Sequence, residues 1–132
     1  MLRAALRAFL QASVEAVPSG KQNTFAAHNP PSLVMAVVRE RGLCSLTNAF
    51  VKPVTPRKES DTDLVAGSVA ALDDYWGRLT TMYGDTGIVR QIVCVDPAYA
   101  GRLANLAHSQ VPSIAALIDR TLESVTLDTR AA

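Results

Sequence analysis

A chain of 132 residues, 48% of them apolar, is the right size for one domain or part of one and can bury a core, which excludes wholesale disorder. Thirteen basic against twelve acidic residues leave a net charge of +1, without the basic excess usual in nucleic-acid binders, so any polyanion contact has to be local. Cys44 and Cys94 have no Cys-x-x-Cys spacing and no histidine at ligand distance, which argues against a zinc site and for two buried reduced thiols, with a disulfide left open.

Leu2, Leu6, Phe9, Leu10, Val14 and Val17 recur at helical spacing beside a polar face of Arg3, Arg7, Gln11 and Glu15, and Pro18 ends that helix. Arg3 and Arg7 interrupt any apolar leader, Glu15 sits where a cleavage segment would be, and no apolar run approaches bilayer length. A cytoplasmic protein with no membrane partner is expected. After Asn29-Pro30-Pro31 the run Leu33 to Val38 is almost unbroken in apolar residues, the pattern of a strand covered on both faces. Leu46 to Val54 predicts a short, partly extended segment stopped by Pro53, and Thr55 to Asp61 a polar surface loop.

Ser60 and Asp63 have capping-box spacing for a helix whose stripe is Val65, Val69, Leu72, Trp76, Leu79 and Tyr83, with Gly84 as a left-handed stop. Ile88 to Val95 predicts a second strand, ended by Asp96-Pro97. Tyr99 to His108 is ambiguous between loop and short helix. Pro112 and Ser113 open a last helix with Ile114, Leu117, Ile118, Thr121, Leu122 and Val125 inward. Two strands alone are marginal in water. The Leu33–Val38 run in particular asks for neighbours on both edges, which points to partner strands in sequence upstream of this chain.

Between the first helix and first strand, Gly20, Lys21, Gln22, Asn23 and Thr24 place a glycine, a cation, two amides and a hydroxyl at one turn. Such a turn can present backbone and side-chain donors to an anion. The competing reading is a polar loop with no ligand. Val14 or Glu15 and Gln22 stand where a P-loop needs Gly and Ser or Thr, so that motif fails. His28 follows the turn and could act as general base on a 2′-hydroxyl, against its reading as a surface or hydrogen-bonding residue; whether it meets His108 is open. Asp73-Asp74 read as a solvated helix face rather than a metal pair, and Trp76 as core rather than a stacking platform.

The words of the turn add to this. Val17-Pro18-Ser19-Gly20-Lys21-Gln22-Asn23-Thr24-Phe25-Ala26-Ala27-His28-Asn29-Pro30 resembles the V-P-G/S-A/G-K-Q-x-T-Y/F-A-A-x-N-P stretch of the CasC-type backbone subunit of Cascade, the type I-E CRISPR surveillance complex. Val34-Met35-Ala36-Val37, then Leu46-Thr47-Asn48-Ala49-Phe50-Val51-Lys52-Pro53-Val54, then the helix holding Tyr75-Trp76 and ending near Tyr83-Gly84, follow in the family's order. The resemblance weakens after about Asp96.

What it implies is an α+β fold, the C-terminal part of a ferredoxin-like (RRM-like) domain with helices on a small, incomplete sheet. Residues 1–132 would be a single C-terminal portion of a backbone subunit: 1–54 the second helix and last strand of the core plus the following segment, 55–132 a C-terminal extension. The first βαβ, the third strand and a thumb-like insertion that kinks the guide would lie elsewhere. The family is not enzymatic and uses no cofactor or metal. Its implied partners are CRISPR RNA, target DNA through that RNA, further copies of itself and other Cascade subunits. In this setting Gly20 to Thr24 are assigned to RNA contact from residue type and placement: Lys21 to a phosphate, Gly20 to close approach, Gln22, Asn23 and Thr24 to phosphate or 2′-hydroxyl oxygens. A repeat-RNA endoribonuclease using His28, and a remnant without function, are the alternatives.

Overall fold

The computed structural model describes residues 1–16, 30–55 and 63–125. Helix α1 spans Leu2–Glu15 and strand β1 spans Leu33–Arg39. A 3₁₀ turn follows at Thr47–Phe50, then α2 at Leu64–Tyr83 and β2 at Ile88–Val95. Two more 3₁₀ turns, Pro97–Arg102 and Ala107–Ser109, lead to α3 at Ile114–Ser124. Among the described residues no helix is long and apolar enough to cross a membrane.

The strands form one antiparallel ladder, with Leu33 opposite Val95, Met35 opposite Val93 and Val37 opposite Gln91, and an irregularity between Val38 and Arg39. Side chains alternate across a sheet. On one face Leu33, Met35 and Val37 meet Val69 and Trp76 of α2 together with Val93, Leu103 and Leu106. On the other, Val34 and Ala36 meet Ile92, Leu117, Ile118 and Leu122 of β2 and α3, with Leu6 and Leu10 of α1 closing the layer. The unbroken apolar β1 is thus explained: both of its faces are covered. The result is an α+β sandwich, α2 on one side of a two-stranded sheet and α1 with α3 on the other.

Local chemistry sets the helix starts. Asp63 accepts the Ala66 amide at 2.7 Å, so Asp63 is itself the N-cap of α2 and not the second member of a capping box; Ser60 lies outside the described residues. Ser113 accepts the Ala116 amide at 3.1 Å and starts α3. Gly84 ends α2 at φ +72°, but with ψ 177° rather than the left-handed helical value, a conformation open mainly to glycine.

Several expectations are corrected. Leu46 to Val54 is a turn rather than extended chain. No described strand pairs with it, and Ser45 Oγ bonds both Thr47 Oγ1 (2.8 Å) and the Thr47 amide (3.3 Å), which tightens the backbone there. Tyr83, Leu2 and Phe9 are exposed, although each has helical spacing with the apolar stripes. Cys44 is exposed, Cys94 is half-buried, and both are free thiols; burial pushes the Cys94 thiol up. The last correction is Asp73. It is 4% exposed instead of lying on a solvated face with Asp74, because the chain at 105–106 folds over that side of α2.

Candidate nucleic-acid interface

Gly20, Lys21, Gln22, Asn23, Thr24 and His28 lie outside the described residues, but both of their attachment points are fixed. The segment leaves at Ala16, whose amide still bonds Ala12 O at 2.7 Å while its own backbone is already extended. It re-enters at β1, where the Asp96 amide donates to Ser32 O at 2.8 Å.

Polar groups gather elsewhere, on the outer side of β2. Because Ser32 and Asp96 are a hydrogen-bonded pair, alternation makes Val34–Cys94, Ala36–Ile92 and Val38–Arg90 hydrogen-bonded pairs as well. Gln91 and Val93 then turn their backbone groups outward. Val93 O accepts the Val111 amide at 2.9 Å, so this edge is capped at its middle. Beside the cap lies a trough of about 370 Å³ lined by Arg90, Gln91, His108, Gln110 and Arg120, among others. It shares Gln91 and His108 with a second trough of similar volume that reaches Thr80, Thr81 and Asn105.

Arg90 Nη1 stands 3.9 Å from Glu123 Oε2, a loose and half-exposed pair that is worth little in water. Arg120 and His108 are exposed. Two guanidinium groups with neighbouring amides and hydroxyls are the donors that phosphate and ribose oxygens take. Arg90, Gln91, Gln110 and Arg120 were not singled out in the sequence. The available signal was Arg90-Gln91 inside an otherwise apolar strand, but nothing in the spacing ties it to Arg120 thirty positions on.

Two carboxylates, Asp73 and Asp63, are engaged by protein donors. Asp73 accepts the amides of Asn105 (3.0 Å) and Leu106 (2.8 Å) and the Asn105 side-chain amide (3.1 Å), which also reaches Asp73 O. That cluster clamps the 105–106 chain to α2. Asp63 caps α2 with Oδ1 and accepts the Tyr99 hydroxyl at 2.9 Å with Oδ2. The Ala66 amide foremost, then Tyr99, hold the Asp63 carboxyl below its ordinary value, and the same contact raises Tyr99. Trp76 is core, 3% exposed, as its stripe position predicts.

A small α+β sandwich with a cation-bearing polar trough on one sheet edge is the class these features define. The sequence matches the CT1975-like protein family of Cas proteins over residues 1–120, and the chain belongs to that family. Among curated proteins none matches it. Among solved structures, one chain of a CRISPR RNA-guided surveillance complex is similar with a TM-score of 0.73 at 29% identity, over 92% of this chain and 44% of that one. A second, from a CRISPR RNA-guided surveillance complex in a pre-nicking state, has a TM-score of 0.71 at 30% identity, over 94% of this chain and 32% of that one. This chain thus spans less than half the length of either.

Proposed function

We propose that this protein is a non-catalytic, guide-RNA-binding backbone subunit of a CRISPR surveillance complex of the type I-E kind, corresponding to part of the length of such a subunit. The observation that supports the reading is the fold likeness over more than nine-tenths of this chain to chains of RNA-guided surveillance complexes. In this role the chain grips the sugar–phosphate backbone and leaves sequence reading to base pairing. Lys21, with Gly20, Gln22, Asn23 and Thr24, supplies one contact, and the Arg90–Arg120 trough a second. Neighbouring subunits and target DNA, reached through the guide, complete the assembly.

The test is binding of labelled CRISPR RNA and of an unrelated RNA of equal length, over a range of salt. Both RNAs are expected to bind alike, affinity to fall as salt rises, and neither RNA to be cut. Lys21→Ala should weaken both by about the same factor. Cleavage that disappears in His28→Ala would replace this reading with a ribonuclease, and affinity indifferent to salt would remove backbone contact as its basis.

A further inference from the structure

The apolar stripe of α2 outlasts its cover. Val69 and Trp76 are buried against the strands, but Leu79 is only half-buried, and Tyr83, one turn further along the same face, is 71% exposed. Between this last turn and the Arg39–Ile88 end of the ladder lies a cavity of about 360 Å³. Trp76, Leu79, Tyr83 and Ile88 give it apolar and aromatic walls, while Arg39 and Cys44 add a cation and a thiol. Among the described residues no carboxylate lines it. Two donors here lack an acceptor. Arg39 is exposed and its side chain makes no ion pair or hydrogen bond with a described residue. The Trp76 indole N–H finds no acceptor among them either, although the residue is only 3% exposed. A sealed, unpaired donor would be costly, and the described residues hold no side-chain nitrogen or oxygen in that state. The N–H therefore opens onto the space beside it, where Trp76, Thr80, Gly84 and Ile88 form the common wall of this cavity and the Thr80–Asn105 trough.

We infer that this cavity binds an organic monocarboxylate with a ring-sized apolar body. Ligand cavities of this size are mainly apolar with a few convergent polar groups, and here the walls take the body. The planar fork of the Arg39 guanidinium matches a carboxylate, whose remaining lone pairs suit an indole N–H. With no acid in the lining, the guanidinium is left to the ligand. A single negative charge is preferred to a phosphate dianion. The last turn of α2 forms one side of the cavity, and the negative end of its dipole opposes each further negative charge. The same chemistry is carried by a free acid and by the terminus of a polypeptide that ends in a bulky apolar residue. The site draws on neither the Gly20–Thr24 turn nor the Arg90–Arg120 pair, so it can stand where RNA binding fails, and the reverse.

Trp76 is the sole tryptophan, so its emission reports on the cavity in the full chain. Benzoate stands for a free acid and N-acetylphenylalanine for a chain terminus, with benzyl alcohol and acetate as controls that lack the charge or the apolar body. At least one of the two acids should shift the emission saturably, with half-saturation at or below about 1 mM, and the tighter of them identifies the source. That acid should bind at least about tenfold more tightly than either control. Arg39→Gln, at an exposed position, should abolish the preference for the acid over benzyl alcohol. Trp76→Phe keeps a ring and removes the N–H; it is read by alkylation of Cys44 by iodoacetamide, which the bound acid should slow in the parent and slow less in the variant. Arg39→Gln carries the test alone where Trp76→Phe fails to fold. Emission indifferent to both acids, controls that bind as well as the acids, or an Arg39→Gln chain that keeps the preference would each overturn the inference.

Discussion

At the scale of single residues, the Asp63 carboxylate joins two distant pieces of chain, since it caps α2 with one oxygen and holds Tyr99, thirty-six positions away, with the other. Both partners favour the charged form, so its folded pKa lies below the ordinary 3.8. A depressed carboxyl contributes stability that is fully present above its unfolded value and is lost as pH falls through the folded one. Tyr99 runs the other way: raised above 10.0, it keeps its contribution below that pH and loses it only in alkali. Asp63→Asn keeps a competent cap but cannot carry the charge. Urea melts should therefore show the parent more stable than Asp63→Asn at neutral pH, with the gap closing as pH falls below the ordinary 3.8. A gap independent of pH would mean that the carboxylate acts here only by shape.

At the scale of elements, the join between α2 and the 105–106 chain shows why part of this fold was legible in sequence and part was not. A β-carbon built on Gly77 would lie 2.5 to 2.8 Å from the Asn105 side-chain amide, which is itself bound to Asp73. Glycine inside a helix costs about 1 kcal/mol relative to alanine, so Gly77→Ala would stabilise an unobstructed helix. Here overpacking, at about 1–3 kcal/mol, should win and lower the urea midpoint. In an Asn105→Ala background the obstruction is gone and the same change should turn stabilising; destabilisation of equal size in both backgrounds would locate the cost elsewhere. Periodicity located Val69, Leu72 and Trp76, because they face the sheet along one stripe. It also located Leu117, Ile118, Thr121 and Leu122, and bounded β2 at Ile88 and Val95. It misplaced Asp73 and Tyr83, since a helix pattern reports the helix's own faces and not which loop later covers one of them. The Arg90–Arg120 trough was hidden for the same reason, its members meeting only through the β2–α3 packing. Gly20 to Thr24 were legible as words, but they lie outside the described residues.

At the scale of the whole molecule, a net charge of +1 means that the field around the protein does little to gather RNA, so affinity has to come from a few local contacts. The trough provides a sharp test because its charges oppose one another. Arg120 is exposed there, while Arg90 shares its field with Glu123 at 3.9 Å. If RNA phosphates enter, Arg120→Ala removes one cation and should flatten the plot of log affinity against log salt by about 0.7 for a single-stranded guide. Arg90→Ala should lose more affinity than that, because it also leaves the Glu123 carboxylate uncompensated beside the phosphates. Glu123→Ala should do the opposite and tighten binding, by releasing Arg90 to the RNA. Filter binding of the three variants at several salt concentrations reads all of this at once. The ordering Glu123→Ala above parent, and parent above Arg120→Ala and then Arg90→Ala, is what phosphate in the trough requires; coincident curves would place the RNA path away from the outer edge of β2 and leave the Gly20–Thr24 turn as its contact.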